Sequence, residues 1–365
     1  MLMEFKLGEL FCGPGGIAMG ARLAKSQDNE YGIVHAWAND FDKDTCQTYI
    51  NNICPDDPST VICEDIRKLD FDKLKSISDI DGLAFGFPCN DFSIVGEQKG
   101  MDGVYGPLYS YGIKALNLFK PKWFLAENVG GLRNANDGKA FEQILSEMHS
   151  AGYKMTPHLY KFSDYGVPQA RSRIIIIGIR NDIDIEFKVP SPEMFKNIDV
   201  TSKNAIENPP IASDAFNHDF TRQSETVKER LSYIKPGENA FTANIPEELQ
   251  LKVTGAKISQ IYKRLEPDKP SYTVTGSGGG GTHVYHWKED RALTNRERAR
   301  LQTFPDNYKF YGTRESVRKQ VGMAVPVKGA QVIFEALLNC FAGISYPSID
   351  NNIQYNVDSL QESIL

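Results

Sequence analysis

"LFCGPGGIAMG", Leu10 to Gly20, is the stretch on which the fold turns. The run before it, KLGELF, reads as a strand. The run after it, IAMGARLAK, has helical spacing. Between them Gly13, Gly15 and Gly16 let the backbone turn sharply and approach a ligand closely. Outward from this turn the alternation continues. IVHAWAN is followed by the helix-like KDTCQTYINN, then TVIC and GLAFGF, then the helix YGIKALNLF. KWFLAEN, the helix AFEQILSEMHSAG and the very apolar RIIIIGIR complete the series. Buried strands alternating with helices predict an α/β fold with a mostly parallel sheet.

The alternation stops near Arg180. From Asn181 to about Tyr285 the chain is irregular, with NPP, KPGEN and GSGGGGTH, and reads as a separate, smaller domain. LTNRERARLQTF returns to helix, and AQVIFEALLNCF is a strong amphipathic helix. The expected domains are 1–185, 186–285, a hinge and return over 286–345, and a peripheral polar tail over 346–365.

The 365 residues are 41% hydrophobic and 24% charged, an ordinary soluble composition. No run approaches the roughly 18 apolar residues of a membrane span, and the start has no signal-peptide pattern. The six cysteines form no CxxC pair and no His cluster accompanies them, so neither a metal site nor a disulfide scaffold is suggested. A reduced cytoplasmic chain is expected. Net charge is -6, yet residues 250–330 hold fifteen Lys and Arg against seven Asp and Glu, a net +8. That run is either a solvated helix face or a surface that meets phosphate.

Glycine-rich turns of this kind serve nicotinamide, flavin and S-adenosylmethionine (AdoMet) enzymes alike. Asp40, after the second strand, is placed to hold ribose hydroxyls, and Phe41 to stack on adenine. Asp65, after the third, is placed to meet the exocyclic amine of adenine. Each Asp reads equally well as a helix N-cap. Cys89 follows the fourth strand in GFPCNDFSIVG. Asn90, Asp91 and Ser93 make its surroundings polar, and Gly96, Gly100, Gly103 and Gly106 follow, which suits a reactive thiol under a closing loop. Cys12, Cys63 and Cys340 read as packing residues. Glu127 ends the fifth strand in FLAENVGGL, where desolvation would suit a proton donor. Arg171 and Arg173, two residues apart in VPQARSRIIIIG, are expected on one face, apt for a carboxylate or carbonyl oxygen.

Taken in order, these motifs resemble the C5-cytosine DNA methyltransferases. FCGPGG is similar to their AdoMet turn, PCNDFS to their nucleophile loop and ENV to their glutamate motif. QARSR, LTNRERARLQTFPD and VGMAVPV match three further motifs. The resemblance covers most of residues 5–182 and 290–335. It implies a Rossmann-like AdoMet-dependent fold with a smaller target-recognition domain. It also implies methyl transfer from AdoMet to carbon 5 of a flipped cytosine in a specific duplex DNA sequence, through a covalent Cys89 adduct. Glu127 would protonate ring nitrogen 3, Arg173 would grip the carbonyl oxygen at position 2, and Arg171 would support the Cys89 loop. Implied cofactor contacts are Phe11, Gly13, Gly15, Gly16, Asp40, Phe41, Asp65, Ile66, Pro88, Leu108 and Met323. S-adenosylhomocysteine is the product and no metal is needed.

Implied DNA contacts are Asn90, Ser93, Gly278, Gly279, Gly280 and Arg296, with the small domain and the basic segment as the far wall of a DNA cleft. The glycines read equally well as a flexible hairpin tip. The setting is a monomer in a prokaryotic or phage-like cytoplasm, within a restriction-modification system and without a membrane. At two positions the chain departs from the family pattern: Asn90 stands where Gln is usual, and Met323 where Asn is usual. An RNA cytosine methyltransferase, a silent DNA-binding relative and, more distantly, a nicotinamide dehydrogenase are the alternatives.

Overall fold

A computed structural model describes residues 2–87, 108–252, 258–276 and 282–355. The chain divides into two units. The first holds residues 1–161, 172–194 and 329–365, the second 162–171 and 195–328. Residues 186 and 285 were expected to bound the insert. Instead the chain leaves after Met194 and returns after Lys328, with a short earlier excursion over 162–171.

The first unit carries β1 (Met3–Leu10), α1 (Gly16–Leu23), β2 (Tyr31–Asp40), α2 (Lys43–Ile53), β3 (Val61–Cys63), α3 (Phe71–Ile77) and β4 (Gly82–Phe85). α4 (Tyr109–Phe119), β5 (Trp123–Val129), α5 (Lys139–Ser150) and β6 (Tyr153–Lys161) follow. The two-residue strand β7 (Gln169–Ala170) belongs to the second unit, and β8 (Ser172–Arg180) closes the sheet. The strand order is β3-β2-β1-β4-β5-β8-β6. β1 to β5 are parallel, and β8 runs against both its neighbours. The order reverses between β1 and β4, so the carboxyl ends of these strands flank a switch point, the usual ligand crevice of such sheets.

Neighbouring residues of one strand show how the two faces are covered, because successive side chains point to opposite sides. Trp123 meets Phe334 of the late helix α10 (Val327–Phe341), whereas Phe124 meets Tyr153 and lies in a core with Phe85, Leu116 and Ile144. β6 was not expected, because Pro157 interrupts its pattern. It occupies the sheet edge, where a missing N–H is tolerated.

Residues 346–355 are not the peripheral tail expected. β11 (Ser348–Ile349) pairs with β9 (Val189–Pro190), Ile353 is buried, and the Tyr355 hydroxyl donates to the Met155 carbonyl at 2.9 Å. Against the expectation that no run approaches a membrane span, one helical stretch among the described residues, within 314–341, is long and apolar enough, but it is mostly buried inside the protein, as a core helix is.

The second unit is largely irregular, as its composition predicts. It carries α6 (Ser202–Glu207), α7 (Glu225–Ser232), β10 (Ser271–Tyr272), α8 (Asn295–Leu301) and α9 (Arg314–Met323). A small core of Leu231, Ile234, Leu249, Tyr262 and Tyr285 holds it. β10 pairs with β7, and Gln169 beside it bonds the Val274 amide at 2.9 Å and Gln302 at 2.9 Å.

Candidate active site

At the carboxyl end of β1 the backbone is already bent for a ligand. Phe11 has φ 54°, Gly13 56° and Gly15 87°, the last capping α1 in front of buried Gly16. The Phe11 value is uncommon for a residue with a side chain. A Cβ at Gly13 would meet nothing within 4 Å, so its backbone faces open space.

Asp40 ties this turn to the end of β2. Its carboxylate accepts from the Gly13 amide at 3.1 Å and the Asp42 amide at 3.1 Å, while burial raises its pKa. It is not a helix cap; Asp42 caps α2, accepting from Thr45 N–H. Phe41 projects beside it, 66% exposed. An aromatic ring so exposed and open glycine backbone near it fit an adenine-bearing cofactor.

Asp65 follows its alternative reading instead. It caps a short turn and is gripped by Arg67 at 2.5 Å, a bond that holds its carboxyl down at about 2. To meet an adenine amine it would have to share that carboxylate with Arg67. Ile66 is buried in the core, Leu108 is buried at the cap of α4, and Cys63 is exposed at the end of β3 rather than packed inside. Cys340 is only partly buried.

On the other side of the switch point, Glu127 lies near the carboxyl end of β5. Its Oε1 lies 3.0 Å from Nε of Arg173 on β8, the two side chains about one-seventh exposed. The pairing of the strands sets this up, since Val129 faces Arg173 and Glu127 faces Ile175. The acid expected to be merely desolvated is an ion-paired one. A Cβ at Gly86 would come within 3.2 Å of Glu127 Oε2, so glycine there leaves the carboxylate its room. Asn128 donates to the Phe87 carbonyl at 3.4 Å. The pair therefore stands beside the chain as it enters Pro88-Cys89. Pro88, Cys89, Asn90, Ser93, Gly278, Gly279 and Gly280 lie outside the described residues.

In the second unit, Arg171 does not share a partner with Arg173. It is buried, and its guanidinium donates to the carbonyls of Val274 at 3.3 Å and Gly322 at 3.1 Å. Arg296 is fully buried and donates to the carbonyls of Phe216, Pro305 and Tyr308, so it braces the fold instead of meeting DNA. Indeed all of α8 is buried, and the basic run there is neither a solvated face nor an open surface. Met323 ends α9, half exposed.

Periodicity offered no signal for Glu9, inside β1. It is buried, its Oε2 accepts from Tyr49 at 2.5 Å, and Oε1 has no partner among the described residues. Burial pushes its pKa up to about 8. The Tyr49 hydroxyl continues to His35 at 3.1 Å and thence to Thr60 at 2.8 Å.

The fold is that of a Rossmann-like methyltransferase. Residues 5–339 match the C-5 cytosine-specific DNA methylases, and the chain belongs to that family: it is a DNA cytosine-5 methyltransferase. It is 58% identical to the type II methyltransferase M.BbvI of Brevibacillus brevis, over 99% of this chain and 98% of that protein. It is 38% identical to the type II methyltransferase M.NgoFVII of Neisseria gonorrhoeae, over 94% and 89%. A prophage-encoded E. coli protein, described as a DNA modification methyltransferase, shares the fold with a TM-score of 0.71 at 24% identity, over 93% and 99%.

Proposed function

We propose that this enzyme uses AdoMet to methylate carbon 5 of a flipped cytosine within a specific duplex DNA sequence, as the modification arm of a restriction-modification system in a bacterial cytoplasm. The relatives named as type II methyltransferases support that setting. The observation that carries the chemistry is the Glu127–Arg173 pair beside Phe87, one residue short of Pro88-Cys89.

Gly13, Gly15 and Gly16 would pass backbone along the cofactor, Asp40 would take its ribose and Phe41 its adenine. When bound, AdoMet supplies an electrophilic methyl group to carbon 5. The Cys89 thiolate adds to carbon 6, and the ring becomes an enamine with its electron density on carbon 5. Glu127 protonates nitrogen 3 as the adduct forms, and Arg173 holds the carbonyl oxygen at position 2. Loss of the carbon 5 proton then expels the thiolate. The target must leave the helix by ~180° to reach these groups. Arg171, buried, serves by fixing the Val274 and Gly322 carbonyls.

Duplex DNA carrying 5-fluorocytosine tests this directly, because fluorine at carbon 5 blocks the elimination. Wild type should form a covalent adduct that survives denaturation, and Cys89→Ala should form none and transfer no methyl. Normal turnover by the alanine variant would sink the mechanism.

A further inference from the structure

Several arginines of residues 195–328 meet carboxylates. Arg291 forks onto Glu297 and Arg300 onto Asp306, while Arg264 reaches Asp290 through a single nitrogen. Arg298 is held differently. It is 2% exposed, and among the described residues its guanidinium reaches the Leu293 carbonyl at 3.5 Å and Nδ1 of His283 at 3.4 Å. Burial pulls its pKa down to about 10. The same imidazole also faces Arg318, whose Nη1 lies 3.5 Å from Nδ1 and 3.4 Å from Nε2. Burial first, then Arg298 and Arg318, push His283 down to about 4. It is therefore neutral and offers a single acceptor lone pair to two cations.

Arg318 Nε is buried and has no hydrogen-bond partner among the described residues. Its other contact is Glu315 at 3.0 Å, one turn away and 82% exposed, a pair of small value in water. Two guanidiniums thus converge on one imidazole, and among the described residues no buried carboxylate forms an ion pair with either of them. Such an arrangement is short of an anion. It lies beside Gly276, where a Cβ would stand 2.6 Å from the Lys319 carbonyl, so backbone meets α9 directly there.

We propose that Arg318, backed by Arg298 through His283, binds a phosphodiester of the DNA duplex. This rests on the DNA reading above and names a contact within it. A guanidinium fork matches the two free oxygens of a phosphodiester, and the cluster lies in the basic segment of an otherwise acidic chain. A contact of this kind sets register without reading sequence.

Fluorescence anisotropy with mixed-sequence duplexes, across about 50 to 200 mM salt, tests it. Arg318→Gln should weaken binding to every duplex alike and reduce the slope of log K against log salt by about 1. Arg318→Lys should restore the slope, since the charge returns. Glu315→Gln, a surface change that leaves the fold alone, should strengthen binding by up to about five-fold by removing the competing carboxylate. A folded Arg318→Gln protein with the wild-type slope, or unchanged affinity in Glu315→Gln, overturns the proposal. So does stabilisation of wild type by inorganic phosphate, lost in Arg318→Gln, with no change in DNA slope: that result marks a free-anion site. Transfer of tritiated methyl to DNA by wild type is measured alongside. Its absence would refute the enzyme reading, while the salt slope still reports on the anion site.

Discussion

At the scale of single residues, Glu127 and Glu9 show how environment separates two carboxyl groups in one sheet. Glu127 is ion-paired with Arg173, Oε1 to Nε at 3.0 Å. Glu127→Gln keeps a hydrogen bond but cannot donate the same proton. Single-turnover methyl transfer should slow by about 10²–10⁴-fold while DNA affinity stays near wild type. An unchanged rate would exclude Glu127 as the acid. Among the described residues Glu9 pairs with no cation, and burial raises its pKa from 4.5 to about 8. The unfolded chain therefore loses this proton first. The contribution of Glu9 to stability is full below about pH 4.5, is lost progressively as pH rises to about 8, and is flat above. Glu9→Gln removes that slope, so its melting temperature relative to wild type should climb between those limits. A constant difference across the range would show that Glu9 does not titrate in the folded protein.

At the scale of elements, the end of α9 shows why the family's closing motif needs glycine. A Cβ on Gly322 would lie 2.0 Å from the Gly276 amide nitrogen and 2.1 Å from the Thr275 carbonyl carbon, both backbone. Helix and loop touch main chain to main chain, and Arg171 bonds the Gly322 and Val274 carbonyls on either side. Gly322→Ala must push the two segments apart. It should cost at least about 1–3 kcal/mol, the usual range for overpacking. Chemical denaturation would measure this, with Met323→Ala, at an exposed position, as the mild control. Equal stability of the two variants would mean that the junction is loose. Met323 itself is a thioether at the end of the same helix and cannot supply the hydrogen bonds of an amide.

At the scale of the whole molecule, two units share one chain. The sheet unit carries the Glu127–Arg173 pair and the glycine turn after β1. The other is irregular, with a small core of its own, and its irregular segments supply surface that can vary without disturbing the sheet. Exchanging residues 195–285 for the counterpart from a relative of different specificity should move the methylated position, read by bisulfite sequencing of modified DNA. A chimera that folds, methylates and still marks the original sequence would place recognition elsewhere. The exchange stops short of α8, because its buried arginines brace Phe216, Ile206 and Pro209 from below the variable stretch.

The sequence by itself determined the strand–turn–helix order and the family. These are written locally: hydrophobic periodicity marks each strand, and glycines and carboxylates follow each strand directly. Glu127 could be found because it ends an apolar run of the right length. Only the tertiary structure decided which charged groups meet. Arg171 and Arg173 are two positions apart, yet one bonds Val274 and Gly322 and the other Glu127. Asp40 and Asp65 look alike in sequence, but one fixes the glycine turn and the other is held by Arg67. The arginines of α8 read as a charged face and are buried, because carbonyls distant in the chain, with Asp306 close by, receive them. Partners that lie dozens of residues away leave no periodic trace, so charge pairing, burial and the state of Glu9 wait on the folded chain.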